Sequence, residues 1–126
     1  SNVSKWIRGF NYWKCTTLFH HLVMEWVVIT FLPGDEDSGP TFRTYVFQNE
    51  SHTLGNALKC IINRYEDVDF CGYTVPHPAE SKMHFRIQSR ETPALEILKR
   101  GLKDLEKVCD HTIDLFEKEV KDFNKM

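Results

Sequence analysis

The chain has 126 residues, 41% of them hydrophobic, with 16 basic and 18 acidic side chains and a formal net charge of -2, which suits one domain with a modest core, and nothing in these numbers suggests two. This balance lacks the cationic excess of an autonomous nucleic-acid binder, so any nucleic acid is expected to be held by a partner. Cys15, Cys60, Cys71 and Cys109 are widely spaced and form no CxxC pair, which argues for reduced thiols in an intracellular protein rather than a disulfide framework or a zinc site.

Residues 1–23 hold three bases, several aromatics and no acid, unlike everything after them, and are expected to be an unassigned extension ahead of a domain over 24–126, with Met24 a candidate start. The run LVMEWVVITFL over 22–32 is interrupted by Glu25 and falls short of the roughly 18 unbroken apolar residues that a membrane span requires. Within it, EWVVITFL over 25–32 is β-branched and aromatic, and PGDEDSGP after it is dense in turn residues, so a strand and a loop are expected. TFRTYVFQ over 41–48 reads as a second strand, joined to the first as a hairpin.

A first helix is expected over about 53–65, where Leu54, Ala57, Leu58, Ile61, Ile62 and Tyr65 recur at helical spacing. Gly55 and Asn56 sit in its first turn although both are weak helix formers, glycine by roughly 1 kcal/mol against alanine. Gly55 is therefore expected to mark the close approach of another helix, as is Gly101 further on. VDFCGYTV over 68–75 and KMHFRIQS over 82–89 are strands separated by a proline-containing connection; the second alternates cleanly, with Met83, Phe85 and Ile87 on one face. Thr92 and Pro93 suit a helix start, with threonine as N-cap and proline in the first helical position.

The helix that follows carries Leu95, Ile97, Leu98, Leu102, Leu105, Val108, Cys109, Ile113, Leu115, Phe116, Val120 and Phe123 within an arc of about 160°. Glu119 is the one charge inside that arc. Acid-then-base pairs Glu96 with Arg100, Asp114 with Lys118 and Glu117 with Lys121 suit a solvated opposite face. About 30 residues span about 45 Å, against a radius of gyration near 13 Å for a domain of about 100 residues. The helix overhangs its core with an apolar side, and such a patch calls for a cover. The β-α-β-β-α order, an α+β fold with a short N-terminal hairpin, a small antiparallel sheet and a long C-terminal helix, therefore reads as half of a dimer.

Other chemistry has thinner support. The spacing of His52, His77, His84 and His111 with Cys71 or Cys109 matches no closed zinc pattern, and Cys71 and Cys109 are expected to be small core hydrophobes. Glu66, Asp67 and Asp69 are expected in a solvated loop. Lys82, Arg86 and Arg90 make a weak phosphate-binding footprint and suit a salt bridge to another subunit better.

Four collinear stretches, ESHTLGNALK, VDFCGYTVPHPAESK, FRIQSRET and RGLKDLEKVCD, resemble the small alpha-like subunits of nuclear RNA polymerases over residues 41–124. HTLGN is common to the alpha-like superfamily, whereas FCGYTVPHPAES is narrower and is similar to the branch shared by RNA polymerases I and III more than to the polymerase II counterpart, the alternative reading. The resemblance implies an alpha-like dimerisation domain and a non-catalytic assembly role in the nucleus, both nucleolus and nucleoplasm, with no cofactor or metal, no sequence-specific nucleic-acid contact and no membrane. The implied partners are a larger alpha-like subunit, joined as a heterodimer, and through it the two largest polymerase subunits. It places Leu54, Gly55, Asn56, Leu58, Ile61 and Ile62 against the partner's corresponding helix, and Leu98, Leu102, Leu105, Cys109, Ile113 and Phe116 across the pair. Lys59 stands where the family has a base near the second-largest subunit. Ser51 departs from the family's usual acidic residue before His52.

Overall fold

The computed structural model describes residues 29–32 and 38–126; the extension over 1–23, the expected start at Met24 and the first residues of the expected first strand lie outside them. The elements run β1 (Ile29–Phe31), β2 (Phe42–Gln48), α1 (His52–Ile62), β3 (Val68–Thr74), β4 (Lys82–Ser89) and α2 (Ala94–Asn124). The strands form one antiparallel sheet in the order β1-β2-β4-β3. The expected hairpin is present, with Thr30 opposite Val46.

Register sorts the side chains between the two faces. Tyr45 faces Phe85 across the β2-β4 pair and Tyr73 faces Phe85 from the other side, while Phe47 pairs with Met83. Directly opposed residues share a face, so these rings line a single surface, and Phe47 meets Phe85 edge to face with centroids 6.1 Å apart. Both helices lie on that surface: Leu54, Leu58 and Ile62 of α1 and Ala94, Ile97, Leu98 and Leu102 of α2 join Cys71, Met83, Phe85 and Ile87 in one buried cluster. The clean alternation of β4 into buried and half-buried positions follows from a sheet with helices on one side.

The turn from β2 into α1 uses Asn49 at φ 59, a left-handed conformation that asparagine tolerates. α1 ends at Ile62 rather than running to Tyr65, and the backbone N–H groups of Arg64 and Tyr65 fold back to the carbonyls of Ile61 and Ile62. The start of α2 also differs from expectation. Pro93 occupies the N-cap in an extended conformation (φ -55, ψ 134) with no capping side chain, and the Thr92 hydroxyl donates instead to Asp67 at 2.8 Å. A tertiary acceptor has displaced the local one. The helix is held at this end by Ala94 N–H donating to the Pro40 carbonyl at 2.9 Å, which ties it to the segment entering β2.

The two helical glycines reveal what their positions require. A Cβ on Gly55 would lie 2.5 Å from Met83 Sδ and 2.6 Å from the Tyr73 ring. Gly55 thus lets α1 settle onto β3 and β4, and the expected approach of a partner helix there is corrected. At Gly101 a Cβ would stand 2.6 Å from Ile62 Cγ1 and 3.2 Å from Leu58 Cδ1, so close helix contact does occur, but between α1 and α2 of the same chain.

Candidate partner-docking surface

α2 is 31 residues long, about 46 Å at about 1.5 Å per residue. Its apolar stripe has two fates. From Ala94 to Leu102 it is closed against the sheet and α1, with Leu98 only 1% exposed, and Leu105 packs at the margin of the core. Beyond that Cys109 and Ile113 are partly covered, while most of the large side chains of the stripe are open: Val108 is 53% exposed, Leu115 50%, Phe116 67% and Phe123 72%. One heptad after another keeps apolar residues on this side, so the bare surface is a straight continuation of the buried one.

The residues assigned to a partner interface divide accordingly. Leu54, Gly55, Leu58, Ile62, Leu98 and Leu102 are buried within the chain's own fold, and their side chains are committed to the core. Asn56 and Phe116 are exposed; Lys59, Ile61, Leu105, Cys109 and Ile113 are partly covered. Those two groups form the surface that a second chain can reach without opening the domain. Val108, Leu115, Val120 and Phe123 belong with them by exposure; their position on the stripe was the signal that could have added them.

A polar cluster fixes the root of the projecting helix. Arg100 Nη2 donates to both oxygens of Asp67, at 2.6 and 2.8 Å, and the guanidinium lies 4.2 Å over the Tyr65 ring. The Tyr65 hydroxyl donates to Asp104. Burial alone would raise the Asp67 carboxyl, but hydrogen bonds from Thr92 and Arg100, with the Arg100 charge, outweigh it and hold it below its ordinary value. Asp67 is therefore a half-buried hub, not the freely solvated loop residue expected. Arg100 reaches it in preference to Glu96, which instead pairs with Lys99 at 3.3 Å. No local pattern announces this cluster, because its partners stand 25 and 33 residues from Asp67 in sequence.

The remaining candidates are structural. Cys71 is buried, and burial pushes its thiol up to about 12 against the opposing charge of Lys59, as suits a core residue. Cys60 is a free thiol. His52 Nδ1 lies 2.9 Å from the Tyr73 hydroxyl. Arg90 pairs with Asp69 at 2.8 Å and Lys82 with Glu80 at 3.2 Å, while Arg86 donates to Thr44 Oγ1, so these bases have partners within the chain. Among the described residues no group of His, Cys, Asp and Glu is placed to hold a metal ion, and no helix is long and apolar enough to cross a membrane.

A domain that closes its core and still projects half a helix of apolar surface is built to pair. The chain belongs to the RNA polymerase Rpb3/Rpb11 dimerisation domain family, whose model matches residues 43–115. It is 67% identical over 95 residues to the Drosophila melanogaster protein described as DNA-directed RNA polymerases I and III subunit RPAC2, covering 75% of this chain and 90% of that one. The Danio rerio protein of the same description is 48% identical over 83 residues, covering 65% and 74%. Among solved structures, DNA-directed RNA polymerase subunit L of Thermoplasma acidophilum shares the fold with a TM-score of 0.63 over 78% of this chain and 93% of that one, at 18% identity.

Proposed function

We propose that this chain is the small alpha-like subunit shared by nuclear DNA-directed RNA polymerases I and III. Its role is non-catalytic assembly: residues 24–126 form a dimerisation domain that pairs with the larger alpha-like subunit, and the pair is the platform for the two largest subunits during transcription in nucleolus and nucleoplasm. The observation that carries this reading is the uncovered stripe from Val108 to Phe123 in a chain so close to relatives described as subunits of those two polymerases. An apolar area of this kind is rarely left bare on a soluble chain. Lys59 on α1 is partly covered, and its charge suits a contact with the second-largest subunit.

Coexpression with the larger alpha-like subunit tests the pairing. The unaltered chain is expected to give a soluble one-to-one complex and to self-associate when alone. Phe116→Asp should abolish the complex, since a carboxylate buried without a partner is strongly unfavourable. Lys59→Glu should keep the pair and weaken recovery of the second-largest subunit. A stable monomer that ignores the larger subunit would refute the proposal, and recovery with the largest subunit of polymerase II alone would replace it with the polymerase II reading.

A further inference from the structure

We infer that Glu119 selects the partner: the helix that docks on the α2 stripe carries a lysine or arginine facing this carboxylate, and a second copy of this chain, which has none there, is disfavoured. The inference rests on the proposed docking surface and adds the chemistry of its occupant.

Glu119 lies one turn after Leu115 and Phe116 and one turn before Phe123, in the middle of the exposed apolar surface. The residues one turn away on either side are Leu115, Phe116, Asp122 and Phe123, so no base within the helix is spaced to neutralise it. No ion pair joins it to any other described residue, whereas Asp122 nearby is paired with Lys125 at 3.7 Å. The other polar residue on the stripe, Thr112, is satisfied internally, its hydroxyl donating to the Val108 carbonyl at 2.8 Å. Thr112 can be covered by any apolar surface; Glu119 cannot. Covering a carboxylate without a counter-charge is strongly unfavourable, and with one it becomes a device for choosing register and partner. The bases of this half of the helix, such as Lys118 and Lys121, sit on the opposite side. A second copy thus brings apolar groups or another carboxylate to Glu119, and its stripe has no cation to offer. Glu119 also lies past residue 115, where the match to the family model ends, so it extends the shared surface with a feature particular to this region.

The test compares Glu119→Leu, Glu119→Lys and Phe116→Asp in the full chain, each measured for self-association and for affinity to the larger alpha-like subunit. Far-UV circular dichroism should be unchanged, because these positions are exposed. Both Glu119 variants should weaken hetero-pairing by about tenfold or more, since the partner's base is left unpaired, while Glu119→Leu should strengthen self-association. These opposite directions would not arise from a merely apolar contact, which moves both together. If Glu119→Leu pairs with the larger subunit as tightly as the unaltered chain while Phe116→Asp does not pair, the assignment of Glu119 is overturned and the docking surface stands. If Phe116→Asp also pairs normally, the docking surface itself is overturned.

Discussion

The two halves of α2 are built from the same pattern and meet opposite conditions. From Ala94 to Leu102 the apolar stripe is sealed by the sheet and by Leu58 and Ile62 of α1, with Gly101 removing the side chain that would hold the helices apart. From 106 to 124 the stripe is as apolar and as regular, yet its large side chains stand open. Helical periodicity therefore reports which side of a helix seeks cover; only tertiary structure reports which stretch finds it within the chain. The sealed half contributes to the stability of the domain, and the open half is the surface proposed above for association.

Substitutions can break this contrast if stability fails to step down along the helix. Leu58→Asp in the sealed region should unfold the isolated domain, because it places a carboxylate where the side chain is 0% exposed; loss of the thermal transition would show it. Gly101→Leu should lower stability by about 1 to 3 kcal/mol, since its first carbon already meets Ile62, read as a lower denaturation midpoint in urea. At the boundary, Asp67→Asn should cost about 1 kcal/mol. The depressed Asp67 carboxyl contributes stability that is fully present above its unfolded pKa and is lost as pH falls through its folded value. The unaltered chain should accordingly lose stability over a window below about pH 4, and Asp67→Asn should remove that part of the acid slope in a melting series. Phe123→Ser in the open half should change the midpoint of the isolated chain by under about 0.5 kcal/mol, and a larger loss would mean that this half is packed after all.

Much of the architecture was readable from the residues. The alternation of Met83, Phe85 and Ile87 marked β4 to its ends, and the long stripe marked α2. Both signals are local and repeat many times. What escaped detection depends on groups distant in sequence. Thr92 looks like an N-cap because its neighbours allow it, but Asp67 is a better acceptor in space. Gly55 correctly announced a close approach without naming Met83 and Tyr73 as its cause. The expected interface has another origin: the family resemblance put Leu54, Leu58, Ile62, Leu98 and Leu102 on it, and these are positions that the chain's own sheet and helices bury.

The cluster of Asp67, Arg100, Tyr65 and Asp104 has a mechanical consequence. It grips α2 near its root, and from there about 28 Å of helix reaches outward with no glycine or proline after Gly101 to bend it. Such a rod behaves as a lever. A slight tilt at the grip becomes a much larger sweep at Phe123, so a fault in this remote clasp would surface as misalignment at the tip, with the domain itself still folded.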